Sequence, residues 1–184
     1  MPPTAPEAAA PARLLVVCTG NAARSVMAGY MLGHLAVERG RPLEVVTAGT
    51  HAVEGQVMSL RTRAALAAFP ELAGAPVGAH RSRQLVPADL DRATLVVAME
   101  ADHVRFVRRH HPEAAGRTAT LRRLAADLAP GRWPLAERVA ALALADVAVD
   151  PSEDVADPAG HEEDVYVACA RELFGLCAEL VERL

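Results

Sequence analysis

Short apolar runs alternate with segments of helical periodicity along the first two thirds of this chain. The apolar runs predict strands at Leu14–Val17, Leu43–Thr47 and Ala93–Met99, and a short fourth strand around Arg117–Leu121. The helical segments run from Ser25, which we predict as an N-cap, to about Gly40, from Ser59 to Phe69, and from Ala101 to about His110. Strands that alternate with helices in this way indicate a parallel sheet.

The last third of the chain is predicted to be mainly helical. Two helical stretches lie between Leu121 and Asp150, and we expect Pro134 in the first turn of the second. A polar loop follows from residue 150 to residue 160, and a closing helix runs from about Glu162 to Leu184. We therefore predict one α/β domain over residues 13–184, with a four-stranded parallel sheet and helices on both faces.

The composition of the chain indicates where the protein works and which classes of partner it is expected to bind. Residues 1–12 are rich in Pro and Ala and lack the apolar stretch of a secretory signal, so we predict a disordered arm. No apolar run approaches the roughly 20 residues that cross a bilayer. A net charge of −4 favours neither a nucleic acid nor a membrane partner. Three cysteines without a CxxC pair favour a reducing, cytoplasmic location with free thiols and no structural zinc.

The candidate catalytic residues lie in the segment from Cys18 to Ser25. A loop that joins a buried strand to a helix N-terminus directs several backbone N–H groups at one point, where an anion is stabilised. Cys18 at the start of this loop is expected to be a nucleophilic thiolate. Arg24 can donate two hydrogen bonds to one phosphoryl group. Gly20 is expected to permit the tight backbone of the loop. The sequence thus predicts a phosphate-binding loop directly after the first strand.

The six-residue spacing between Cys18 and Arg24 is weak support by itself. All 19 basic residues among the 184 are arginines, so about one residue in ten would satisfy the spacing by chance. The preceding apolar strand, the Gly and Asn inside the loop and the hydroxyl residue after Arg24 make the context specific. The alternative is that Cys18 is a buried strand-end cysteine and Arg24 a surface residue.

The segment Val17-Cys18-Thr19-Gly20-Asn21-Ala22-Ala23-Arg24-Ser25 resembles the signature loop of low-molecular-weight protein-tyrosine phosphatases. Later segments resemble further family blocks in the same order: Thr47-Ala48-Gly49-Thr50, His80-Arg81-Ser82-Arg83-Gln84-Leu85 and Asp154-Val155-Ala156-Asp157-Pro158. The resemblance runs from about Arg13 to the C-terminus. The helical region at about residues 121–150 is longer than the family usually carries.

This resemblance implies a phosphomonoester hydrolase, of the protein phosphatase type, that works through a cysteinyl-phosphate intermediate without metal or cofactor. Its substrate would be a phosphorylated protein or a small phosphate ester. The family places a catalytic acid in an Asp-Pro loop before the last helix, and the chain offers both Asp150-Pro151 and Asp157-Pro158. Asp157 matches the family pattern better, with Asp150 as the alternative because Asp-Pro is also an ordinary turn signal.

The resemblance also assigns binding and supporting residues. The substrate phosphate would contact the loop at Thr19, Gly20, Asn21, Ala22, Ala23 and Ser25. Ser25 would hydrogen-bond the thiolate, Asn21 would hold the loop backbone, and Thr47 and His80 would complete a polar network. Each of these side chains also has an ordinary interpretation as a cap, turn, strand-end or surface residue.

Several positions depart from the pattern of tyrosine-specific members. Val53 stands where many have an aromatic side chain, and Ala159 and Gly160 follow Pro158 where others carry aromatics. Ala22 and Ala23 replace a larger residue and a second cysteine, and Val26 replaces a proline. A preference for phosphotyrosine is therefore in question.

Two other functions remain as alternatives. A phosphate-dependent regulatory module would keep the fold without turnover. An arsenate reductase would need redox cysteines in mobile loops, whereas Cys169 and Cys177 are predicted in the core of the closing helix. His103, His110 and His111 lack a carboxylate at ligand spacing, so we predict them to face solvent rather than a metal.

Overall fold

A computed structural model describes residues 11–184. The strands are β1 (Ala12–Cys18), β2 (Leu43–Gly49), β3 (Leu95–Ala98) and β4 (Thr118–Thr120). The helices are α1 (Arg24–Glu38), α2 (Leu60–Ala67), α3 (Pro87–Asp91), α4 (Ala101–His110), α5 (Leu121–Asp127), α6 (Leu135–Ala140) and α7 (Glu163–Arg183). Single 3₁₀ turns connect several of them.

The four strands form one parallel sheet in the order β2-β1-β3-β4. β1 is interior and pairs with β2 on one side and β3 on the other, so its apolar residues 14–17 are fully buried. The connection after β1 leads to β2 at one edge of the sheet, and the connection after β3 leads to β4 at the other edge. In such open sheets the crevice at the carboxyl ends of β1 and β3 is the usual ligand site.

Helices cover both faces of the sheet because β1 alternates its apolar side chains between them. Leu14 and Val16 pack into a core built with α1, α2, α5 and α7, whereas Leu15 and Val17 pack into a smaller core with α3 and α4. The predicted α/β fold, with four parallel strands and helices on both faces, is confirmed.

The structure differs from the predictions at some element boundaries. Ala12, assigned to the disordered arm, is the first residue of β1, and residues 1–10 of that arm lie outside the described residues. The one-turn helix α3 was not predicted. In the 121–150 region α6 is short and is followed by turns, and Pro134 precedes its first residue instead of lying inside it.

Ser25 does not cap α1 as predicted. The helix begins one residue earlier, at Arg24, and no side chain makes an N-terminal capping bond. The hydroxyl of Ser25 instead lies within hydrogen-bonding distance of two side chains of the loop, those of Cys18 and Asn21.

Among residues 11–184, no helix combines the length and the apolar character that crossing a bilayer requires.

Candidate active site

Cys18 lies at the carboxyl end of β1 and is 3% exposed. Its Sγ atom is 2.9 Å from Oγ of Ser25, a residue in the first turn of α1. A hydroxyl at this distance can donate to a thiolate and so stabilise the charged form. The loop therefore closes on itself around the sulfur.

Asn21 determines the backbone path of the loop. It has a φ of 51° in the left-handed region, which Asn tolerates better than most residues. Its fully buried side chain donates from Nδ2 to Ser25 Oγ at 3.0 Å and to Thr47 Oγ1 at 2.9 Å, and its Oδ1 accepts from the backbone N–H of Arg83 at 3.0 Å. One amide group thus ties the loop to α1, β2 and the segment before α3.

The carbonyl of Asn21 is held by two more side chains. His80 donates from Nε2 at 2.8 Å and Ser82 donates from Oγ at 2.7 Å. Burial lowers the pKa of His80, and its hydrogen bond to Asn21 opposes this shift in part. The structure thus brings Thr47 and His80 to Asn21, and Ser82 joins them although the sequence analysis gave it no role.

The strained position in the loop is Asn21 and not Gly20. Gly20 has no left-handed φ, and a Cβ atom placed on it would meet nothing within 4 Å. Gly20, which was expected to permit the tight backbone, therefore has neither a φ nor a close contact that requires glycine in this conformation. Within residues 11–184, the amides of residues 20–23 donate to no backbone acceptor, so they are available to an anion.

Arg24 is the first residue of α1 and is 2% exposed. Nη1 donates to the carboxylate of Glu100 and, at 2.9 Å, to the carbonyl of Val155. Nη2 donates to Oδ2 of Asp157 at 2.7 Å. A guanidinium fixed from three directions is oriented before any ligand arrives, which suits two-pronged binding of phosphate.

The two candidate acids occupy different environments. Asp157 has a side chain that is 40% exposed and lies against Arg24. Asp150 is fully exposed and accepts from the backbone N–H of Ser152 at 2.8 Å, which caps a 3₁₀ turn and lowers the pKa of Asp150. Of the two, Asp157 is the one in contact with the phosphate-loop machinery.

Glu100 and His103 belong to the site but were missed by the sequence analysis. Glu100 directly precedes α4 and binds Arg24, and His103 lies one turn further along. His103 is 3% exposed, so the prediction that it faces solvent is wrong, whereas His110 is exposed as predicted and His111 is only partly exposed. The available signal was position, since polar residues after a buried strand lie at the same sheet edge as Cys18.

The imidazole of His103 contacts the loop directly. Nε2 is 3.0 Å from Oγ1 of Thr19 and 3.5 Å from a carboxylate oxygen of Glu100, whereas the buried Nδ1 has no partner within the described residues. Two acceptors around Nε2 favour the tautomer with the proton there. Burial first, and then the charge of Arg24, lower the pKa of His103 to about 4. His103 is thus a neutral donor to Thr19.

The other two thiols are buried in α7. Burial raises the pKa of Cys169 to about 12 and also raises the pKa of Cys177. Both therefore remain protonated, which counts against thiol-based arsenate reduction. Over residues 11–184, no cluster of three or more His, Cys, Asp or Glu side chains is placed to hold a metal ion.

Small side chains stand at the positions that depart from the tyrosine-specific pattern. Ala22 and Ala23 are partly buried, Val53 is 67% exposed, and Ala159 and Gly160 are exposed. None of these positions supplies an aromatic side chain.

Comparisons with known proteins agree with this geometry. The sequence model of the low molecular weight phosphotyrosine protein phosphatase family matches residues 13–138. A protein-arginine-phosphatase from Geobacillus stearothermophilus is 32% identical over 174 residues, covering 95% of this chain and 97% of the relative.

Solved structures are similar over nearly the whole chain. An arginine phosphatase from G. stearothermophilus superposes with a TM-score of 0.69 at 32% identity, covering 94% of this chain and 92% of that one. A low molecular weight protein tyrosine phosphatase from T. tengcongensis superposes with a TM-score of 0.73 at 30% identity, covering 94% and 99%. This chain therefore belongs to the low molecular weight phosphotyrosine protein phosphatase family, a family of cysteine-based phosphatases.

Proposed function

We propose that this protein removes phosphate from phosphorylated protein side chains, with Cys18 as nucleophile, Arg24 as phosphate clamp and Asp157 as acid and base. The observation that carries the proposal is the convergence of these three residues. Cys18 and Arg24 begin and end one loop, and Asp157, distant in sequence, contacts Arg24 at 2.7 Å. Neither a structural thiol nor a surface arginine requires this arrangement.

In the first step the Cys18 thiolate attacks phosphorus while the bond from phosphorus to the leaving atom breaks. The carboxylic acid form of Asp157 donates its proton to that leaving atom. The free amides of residues 20–23 and the guanidinium of Arg24 stabilise the charge on the phosphoryl oxygens. Ser25 donates to the sulfur and keeps it available as an anion.

In the second step the Asp157 carboxylate takes a proton from water, and the resulting oxygen attacks the phosphocysteine. The sulfur–phosphorus bond breaks, phosphate leaves, and the Cys18 thiolate and protonated Asp157 are restored. The ion pair between Asp157 and Arg24 belongs to the free protein. A bound phosphoryl group takes the place of Asp157 on Nη2 and leaves the carboxyl group beside the leaving atom.

Among phosphorylated side chains, phosphoarginine is favoured over phosphotyrosine. The relative named above at 32% identity is a protein-arginine-phosphatase. The small residues at positions 53, 159 and 160 provide no aromatic wall for a phenyl ring. Two carboxylates, Glu100 and Asp157, stand beside Arg24 and are 24% and 40% exposed, so they can attract the guanidinium cation that dephosphorylation releases.

Phosphate release from para-nitrophenyl phosphate at mildly acidic pH tests the catalytic assignment. We expect Cys18→Ser to abolish release and Asp157→Asn to lower kcat by about 10²-fold or more, the usual contribution of a general acid. Cys177→Ser is the matched control, because its fully buried thiol lies near the carbonyl of Ala28 in α1 and not near Asp157. Release that survives Cys18→Ser, or that the native protein lacks, would overturn the proposal and favour a regulatory module.

The substrate assignment has a separate test. Two peptides of the same sequence, one with phosphoarginine and one with phosphotyrosine, are compared by kcat/KM. We expect the phosphoarginine peptide to be preferred. A preference for phosphotyrosine would leave the catalytic residues in place and reject the arginine assignment.

We further propose that the protein works in the cytoplasm on protein substrates and not on nucleic acid. The three cysteines are free, which suits a reducing compartment. The net charge of −4 supports a protein partner over a polyanion.

A further inference from the structure

A second, basic cleft lies beside the phosphate loop. It has a volume of about 370 Å³ and is lined by His51, Asp102, Arg105, Phe106, Arg109 and His110. All but His51 come from the outer surface of α4. The mechanism above uses none of these side chains.

The cleft borders the residues around the nucleophile. The backbone N–H of His51 donates to the carbonyl of Thr19 at 2.9 Å, and the preceding N–H, of Thr50, donates to the carbonyl of Cys18 at 2.9 Å. From the other side, Asp102 directly precedes His103, whose ring contacts Thr19. A substrate bound at Cys18 therefore has this cleft next to it.

The charge of the cleft is positive in a protein whose overall charge is negative. Arg105 and Arg109 lie four residues apart on one face of α4, whereas Arg108 turns inward and binds the carbonyls of Leu144 and Val147. Asp102 is the carboxylate in the lining, and it pairs with Arg105 at 2.6 Å. Arg109 is exposed, and among residues 11–184 no carboxylate lies within 4 Å of it.

Aromatic and imidazole rings contact one another along the cleft. Phe106 packs against His51, with ring centroids 5.5 Å apart, and against His110 at 4.7 Å. Its ring provides an apolar base, and the two imidazoles and Arg109 provide hydrogen-bond donors around it. This combination suits an anionic side chain whose methylene groups contact an aromatic ring.

We propose that this cleft binds an anionic group of the substrate protein, either the carboxylate of a neighbouring Asp or Glu or a second phosphate, while the phosphorylated side chain occupies the loop. The anion ion-pairs with Arg109 and competes with Asp102 for Arg105. The proposal rests on the proposed function, because it needs the loop to be the site of dephosphorylation. It makes α4 a determinant of which phosphorylated sites are used.

The test compares three phosphopeptides that carry the same scissile phosphorylated residue. One has flanking Asp and Glu residues, one has Asn and Gln at those positions, and one has a flanking phosphoserine. Each is assayed with the native protein, with Arg105→Gln/Arg109→Gln and with the control Arg132→Gln. Arg132 is exposed in the connection between α5 and α6, on the opposite face of the sheet from α4, so its replacement alters net charge without touching the cleft.

For the native protein and Arg132→Gln, we expect kcat/KM on the acidic peptide to exceed that on the neutral peptide by about fivefold, as two exposed ion pairs allow. The double variant should lose this preference and retain its activity on para-nitrophenyl phosphate, which has no second anionic group for the cleft to bind. Whichever of the acidic and phosphoserine peptides has the higher kcat/KM shows whether the cleft binds a carboxylate or a second phosphate. An equal preference in native protein and double variant, or none in either, would overturn the proposal. Inactivity of the native protein on para-nitrophenyl phosphate would instead reject the proposed function.

Discussion

At the scale of single residues, His103 shows how burial determines the chemistry of a side chain. The same imidazole in solution would be partly protonated near pH 6.5, but in the core beside Arg24 it is neutral. As a neutral donor it can hold the Thr19 hydroxyl without placing a second positive charge beside Arg24. The buried position of the His103 ring therefore fills space in the core and also keeps the ring uncharged.

The lowered pKa of His103 makes stability depend on pH. Because its folded pKa of about 4 is below the ordinary value of 6.5, the unfolded chain binds the proton more readily. The free energy of unfolding should be at its full value above pH 6.5 and decrease as the pH falls toward 4, by at most about 3 kcal/mol from this group. Urea denaturation at pH 7 and pH 5 measures the change.

His103→Asn should show a smaller loss of stability between these two pH values than the native protein. His161→Asn, at an exposed position, should behave like the native protein. If His103→Asn and the native protein lose stability equally, His103 is not buried as a neutral group.

At the scale of elements, the phosphate loop depends on the end of its neighbouring strand. Thr47 in β2 bonds Asn21, and Gly49 at the end of β2 lies against the loop backbone. A Cβ atom on Gly49 would lie 2.6 Å from the carbonyl oxygen of Thr19 and 3.0 Å from the amide of Asn21. The missing side chain of Gly49 is therefore what allows β2 and the loop to pack together.

Gly49→Ala should displace the loop, because neither backbone neighbour can move alone. We expect kcat/KM on para-nitrophenyl phosphate to fall by about 10²-fold, the usual effect of misplacing a catalytic group by about 1 Å. The control is Gly33→Ala in α1, where a Cβ atom meets nothing within 4 Å and alanine favours the helix. Full activity of Gly49→Ala would show that the loop tolerates this displacement.

At the scale of the whole molecule, one arginine fastens the C-terminal region to the remainder of the fold. Arg138 is 9% exposed and donates to the backbone oxygens of Trp133, Ala129, Arg183 and Leu184. These bonds join the turn before α6 to the end of α7, which packs on α1. They lie away from the phosphate loop, so their contribution is to stability.

Arg138→Met should leave these backbone oxygens without their donor and lower the free energy of unfolding by about 3 kcal/mol. The kcat/KM of the folded variant should equal that of the native protein. Denaturant unfolding and the phosphatase assay are measured side by side, with the exposed Arg132→Met as control. A large loss of kcat/KM in a folded Arg138→Met variant would show that the C-terminal region is coupled to the active site.

Much of the fold and the central part of the site could be predicted from local sequence. The apolar run of β1, the loop from Cys18 to Ser25 and the helix after it are neighbours along the chain, so their mutual arrangement follows from backbone chemistry. The alternation of strands and helices was sufficient to predict the parallel sheet. The ends of α1 and α6 were less predictable because tertiary contacts, such as the use of Ser25 by Cys18, outweigh capping preferences.

The rest of the site was decided by tertiary structure. Arg24 meets Glu100 and Asp157, which are 76 and 133 positions away, and Thr19 meets His103 across 84 positions. Whether a polar residue so distant faces solvent or the loop depends on how β3 and the Asp157 segment pack beside β1. Local sequence was sufficient to predict the loop, the proposed nucleophile Cys18 and the sheet that presents them, because these depend on contacts between chain neighbours. Only the folded structure showed that Asp157 contacts Arg24 and that Glu100 and His103 lie at the loop, because these contacts arise from strand order and packing.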